Sequence, residues 1–202
     1  MVNATASPVR NTLHTHGFTC SFLSWDRQAT ETYPEAGNLD SASAKQSVPV
    51  LMLHGLADHA GVWQSLATVL SSNHRVIAPD LRGHGESSKA ESGYDCDQIL
   101  ADLTALMDHL DLSAVHVVAH SWSAKLACIW AARSPERLKR LVLVDPAFTG
   151  KFPEWTRFSF PFFYRVLPFL KMMGPFSTYE EAESQAKVLK QYTGWSTLQA
   201  NV

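Results

Sequence analysis

Cysteine is scarce in this chain: Cys20, Cys96 and Cys128 are far apart and odd in number. That excludes a disulfide framework and a CxxC metal knuckle, and it fits a reducing compartment, so a cytoplasmic protein is expected. Charge of one sign is scarce too, with 17 Lys and Arg against 19 Asp and Glu. Nucleic acid or an anionic membrane surface as main partner would need a dense basic face, which this balance does not supply. Long hydrophobic runs are missing. The greasiest stretch, "FSFPFFYRVLPFL" from Phe158 to Leu170, holds two prolines and an arginine and is too short to span a bilayer. The opening "MVNATASPVRNTLHTHG" lacks the apolar segment of a secretory signal. There is no GxGxxG, no phosphate-binding P-loop, and no ligand-like spacing around His54 or His84, so no metal, nucleotide, flavin or other cofactor is expected.

What is present is a core-forming chain, 46% hydrophobic over 202 residues, enough for one sizeable domain. Residues 12–25 alternate loosely and fit one or two antiparallel strands. Residues 27–47 are rich in Ser, Ala, Gly and Glu and read as a surface connection. From Val48 the pattern changes. "VPVLMLHG" and "HRVIAPD" are short apolar runs, as strands buried on both faces require, and "AVHVVAH" and "LKRLVLVDPA" read as a third and a fourth strand. Between them, "AGVWQSLATVLSS" carries Val62, Leu66, Val69 and Leu70 at helical spacing. "CDQILADLTALMDHLDL" aligns Ile99, Leu103, Leu106 and Leu110 on one stripe, and "SAKLACIWAARSP" is a third helix stopped by Pro135. Strands alternating with helices imply right-handed crossovers and an α/β fold, a mostly parallel central sheet with helices on both faces. After Asp145 the alternation stops. Residues 148–176 are crowded with aromatics and prolines, and residues 178–192 read as an amphipathic helix with acidic residues near its start. Residues 1–147 are thus expected to form a core and 148–202 a partial helical cap.

Within "VHVVAHSWSAKLACIW" a strand turns sharply into a helix at Ser121. Such a corner lifts a serine clear of the backbone and aims helix N-terminal amides at the same spot. A serine there is also a common helix N-cap. The usual nucleophile pattern is G-x-S-x-G; here it is Ala119-His120-Ser121-Trp122-Ser123, small on both flanks but without glycine.

In order and spacing, "LMLHGLADHAGVW", "VIAPDLRGHGESS", "VHVVAHSWSAKLA" and "LVLVDPAF" resemble the α/β-hydrolase fold superfamily from about Val48 to Asp145. The resemblance implies that Ser121 is the nucleophile. Its oxyanion would be held by the main-chain N–H groups of Leu56 and Trp122, and Asp145 is the candidate acid. Most relatives of this type carry the acid one strand later, and a loop-start Asp before Pro146 is the plainer reading of that residue. His54 would order the loop, Gly55 would let the backbone approach substrate, and Phe148 and Trp155 would begin an aromatic lid over the pocket. Trp63 and Trp122 read as walls, Arg82 as a tie between loops, and His59 as solvent-facing. His120 should point to the opposite face of the sheet from Ser121 and take no part as a base.

A base is what the sequence lacks most tellingly: all nine histidines lie at or before His120, whereas the family order is Ser, acid, then His. The expectation is therefore the N-terminal two thirds of a hydrolase, lacking its last strands and inactive alone. A missing C-terminal segment or a partner chain would complete it, and the strand at Leu141–Val144 would be left as an apolar edge. The complete form would cleave a small apolar ester or related acyl substrate. The alternative is a non-catalytic remnant or interaction module that keeps the fold. Dehalogenase and epoxide hydrolase chemistry are disfavoured because such relatives use a carboxylate nucleophile where this chain has Ser121.

Overall fold

The chain divides into two compact units, Met1–Phe148 and Thr149–Val202. The computed structural model describes residues 7–15, 17–27, 47–56 and 58–146, together with 178, 180 and 184. The aromatic segment 148–176, with Phe148 and Trp155, lies outside the described residues, as does nearly all of the 27–47 connection. Of the expected 178–192 helix, Glu180 and Ser184 are helical.

In the first unit the described residues build one six-stranded sheet in the order β1-β2-β4-β3-β5-β6. The strands are β1 (Val9–Thr15), β2 (Phe18–Trp25), β3 (Val50–Leu53), β4 (Val76–Pro79), β5 (Val115–His120) and β6 (Leu138–Val144). β1, β2 and β4 pair antiparallel; β4, β3, β5 and β6 pair parallel. The helices are α1 (Gln64–Leu70), preceded by a 3-10 turn at Ala60–Trp63, then α2 (Cys96–His109) and α3 (Trp122–Arg133).

Handedness explains the layering. The chain moves one way across the sheet from β3 to β4, then the other way from β4 to β5 to β6. Right-handed crossovers therefore place α1 on one face and α2 and α3 on the other. The core divides accordingly. Leu51, Leu53, Ile77, Val117 and Ala119 pack with Leu103, Leu106, Leu126 and Trp130 on one side. Their strand neighbours Val50, Met52, Val76, Ala78 and Val118 pack with Ala60, Trp63 and Ala67 on the other. The apolar stripe expected on α2 is in place: Ile99, Leu103 and Leu106 are buried and Leu110 packs against them. Asp95 caps that helix by accepting from the Gln98 amide.

The stripe expected on α1 is not the buried one. Val62, Leu66 and Val69 are exposed, and Ala60, Trp63 and Ala67 face the sheet instead, with Leu70 partly buried. The opening 3-10 turn repeats every three residues, which sets the phase of the following helix. It aims Trp63, with far more apolar area than a valine, at the core, while the two alanines let the helix lie close to the strands. At the sheet edge, Val142 and Val144 of β6 are exposed.

Candidate active site

β3 and β5 lie side by side with Leu53 opposite Ala119, and the chain leaves them toward opposite faces. Ligand crevices of α/β sheets lie at the carboxyl ends of such strands, where the winding reverses. At that position the loop His54-Gly55-Leu56 meets the corner at Ser121.

Ser121 adopts φ 55°, ψ −117°, a conformation that an L-residue enters only under constraint. The constraint is visible: its N–H donates to the Val144 carbonyl at 2.9 Å, and its own carbonyl accepts from the Ala124 amide at 3.1 Å. Although Ser121 occupies the N-cap position of α3, its hydroxyl makes no capping hydrogen bond. Among the described residues, the main-chain N–H groups of Trp122 and Leu56 are likewise given to no other protein group. Asp145 follows Val144 directly at the end of the neighbouring strand, exposed and also at positive φ, 44°. Replacing Ser121 by glycine, which adopts positive φ freely, is expected to raise the unfolding free energy by about 1–2 kcal/mol in urea titrations. An unchanged or lower stability would mean that the corner holds no strain.

The flanks differ from the glycine pattern for a reason. Ser123, fully buried, donates its hydroxyl to the main-chain carbonyl of His54 and so ties α3 to the loop after β3. Ala119 is fully buried in the sheet. Gly55 does need to be glycine: a Cβ there would lie 2.9 Å from Nδ1 of His120 and 3.4 Å from Cβ of Ser121. His120 turns its ring toward Gly55 and toward the edge of Trp63, 6.5 Å between centroids.

His54 is fully buried with both ring nitrogens engaged. The Leu81 amide donates to Nε2 at 3.0 Å, so the proton is on Nδ1, which donates to the Gly55 carbonyl at 2.8 Å. Burial pushes its pKa down, keeping the ring neutral. This histidine has no nitrogen left for a substrate proton. His59, exposed as expected, caps the 3-10 turn by accepting from the Gly61 amide at 3.1 Å.

Two acidic residues that sequence reasoning passed over organise the surroundings. Asp80, just past β4 and buried, accepts from the Ala60 amide (2.6 Å), the Glu86 amide (3.1 Å) and Nη1 of Arg10 (2.8 Å). Burial alone would raise its pKa, but these donors together hold it below the usual carboxylate value. Asp102 of α2 takes Arg82 in a two-pronged pair, Nε to Oδ2 and Nη2 to Oδ1, both 2.8 Å. The Arg82 guanidinium also lies 4.3 Å above the Phe18 ring. Asp80 carried one legible signal, a carboxylate directly after an apolar strand and before a glycine-rich turn. Asp102, on the buried side of α2 among Ile99, Leu103 and Leu106, carried another. Among the described residues no three His, Cys, Asp or Glu side chains gather as a metal site requires. Nor is any described helix long and apolar enough to cross a membrane.

Residues 48–173 match a family model described as the alpha/beta hydrolase fold. Among curated relatives, a dihydrolipoyllysine-residue acetyltransferase component of the acetoin cleaving system of Pseudomonas putida is 35% identical over 103 residues, 51% of this chain and 28% of the relative. A cis-3-alkyl-4-alkyloxetan-2-one decarboxylase of Shewanella oneidensis is 38% identical over 111 residues, 53% of this chain and 34% of the relative. The chain thus spans well under half the length of these relatives. Among solved structures, a thioesterase domain from the curacin biosynthetic pathway superposes with TM-score 0.64 at 24% identity, covering 92% of this chain and 62% of that one.

Proposed function

The chain belongs to the α/β-hydrolase fold family, and from that premise we propose that it carries the nucleophile half of a serine hydrolase acting on a small apolar ester or related acyl compound. One observation carries the reading: at the carboxyl edge of the parallel strands, Ser121 is held at positive φ with its hydroxyl free of capping duty.

In this reading Ser121 Oγ attacks the acyl carbonyl, and its proton passes to a base. The N–H groups of Leu56 and Trp122 receive the oxyanion. Collapse expels the alcohol, which takes up the proton, and water then hydrolyses the acyl-enzyme to the acid and free serine. Asp145 is the candidate acid, on the strand end beside Ser121. No histidine follows Ser121 in this sequence, so the reading names no residue of the chain as that base. Ring-opening of an epoxide through an alkyl ester would need a carboxylate where Ser121 stands.

The test is intact-mass measurement after a fluorophosphonate probe. Protein from its natural source is expected to take one adduct, lost in Ser121→Ala. The 202-residue chain by itself is expected to hydrolyse p-nitrophenyl esters no faster than its Ser121→Ala variant. Folded natural-source protein that takes no adduct would sink the hydrolase reading and leave a non-catalytic module with the hydrolase fold.

A further inference from the structure

At the opposite edge of the sheet, where β3 to β6 begin and β2 ends, lies a cavity of about 590 Å³, within the size range of small-molecule sites. Arg27, Arg75 and Lys139 line it together with a single carboxylate, Asp111. Counting also Asp26, whose carboxylate lies 3.8 Å from Arg75, three cations meet two anions, a local excess of one positive charge.

Four described arginines, Arg10, Arg82, Arg133 and Arg137, are hydrogen-bonded to carboxylates, while among the described residues Arg140 of β6, like the cations of the cavity, is not. Arg75 reaches only to 3.8 Å from Asp26, whose carboxylate is mostly in solvent, and its Nε is buried with no hydrogen-bond partner. Among the described residues, Arg27 and Lys139 have no carboxylate partner at all. Pro49 and Leu112 supply apolar wall beside the charges. At the nearby C-terminus of α2 the carbonyls of Leu106, Met107 and Asp108 are occupied, accepting from Leu110, Leu112 and Asp111.

We propose that this cavity binds a small organic anion, a phosphate or carboxylate head on a short apolar body. It is separate from the corner at Ser121: Val115, at the cavity end of β5, is six residues from Ser121, about 20 Å along an extended strand. The site is independent of the hydrolase reading and stands or falls without it.

Titration calorimetry of the full chain at low salt with octyl phosphate, octanol and octyltrimethylammonium decides the matter. Octyl phosphate is expected to bind at least about tenfold more tightly than the other two, since a charge-assisted hydrogen bond is worth about that factor. The double variant Arg27→Gln/Lys139→Gln, altered at two exposed side chains that form no ion pair among the described residues, should weaken it by about tenfold, whereas Ser121→Ala should leave it unchanged. Overturning results are no heat with octyl phosphate, equal affinity for octanol or the cation, indifference to the double substitution, or loss of binding in Ser121→Ala.

Discussion

Alanine at position 102 is expected to lower the free energy of unfolding by about 3–5 kcal/mol, the usual cost of orphaning one member of a buried ion pair. Arg82 and Asp102 are each about nine-tenths buried, and the guanidinium has spent two of its donors on the carboxylate. Removing Asp102 leaves that charge largely buried against Phe18 without its counter-ion, and strands the Gln98 side-chain amide that also donates to Oδ1. The contrast with removing both partners is diagnostic. Arg82→Met combined with Asp102→Leu replaces two desolvated charges by apolar volume and should recover most of the loss. Urea unfolding of the three proteins measures this, with m expected to stay constant. A single Asp102→Ala variant within 1 kcal/mol of the parent would show that the pair is hydrated in solution.

Asn in place of Asp80 is expected to cost about 3 kcal/mol at neutral pH, because an amide presents an N–H where three donors already converge. The pH dependence follows from the direction of its shift. Asp80 titrates lower in the folded than in the unfolded chain, so the unfolded state binds its proton first as pH falls. Its contribution is complete above the unfolded carboxylate value near pH 4 and is lost as pH falls through the folded value. Stability of the parent and of Asp80→Asn should therefore converge below about pH 4 and run parallel above pH 6. Curves that keep the same separation down to acid pH would assign the carboxylate no net role.

The sequence spoke clearly where one local pattern decides the outcome. The runs at Val50, Val76 and Val115 are buried on both faces as continuous apolar strands must be, and α2 buries the stripe its spacing announces. α1 misled because a 3-10 turn sets its phase, and hydrophobic spacing counted at 3.6 residues does not register that. The corner at Ser121 was legible as a change from strand to helix period, yet the choice between cap and free hydroxyl depended on φ and on the Val144 carbonyl, 23 residues away. Least legible were the ties that hold the loops. Ser123 reaches a carbonyl 69 residues back, and Arg10 a carboxylate 70 residues on. Residue type alone cannot single out such pairs, since each is one serine, arginine or aspartate among many.

The Arg10 contact makes the outermost strand a remote support of the corner at Ser121. Among the described residues β1 pairs only with β2, and its Arg10 grips one oxygen of Asp80 while the other oxygen anchors Ala60, where the loop after β3 enters its 3-10 turn. The far edge of the sheet and the loop carrying Leu56 are thus joined through a single carboxylate. Trimming the chain past residue 10, or crowding β1 with a fused tag, would loosen the rim around Ser121 without touching any residue that lines it. Placement of affinity handles on this protein is for that reason a question about the surroundings of Ser121 as well as about its purification.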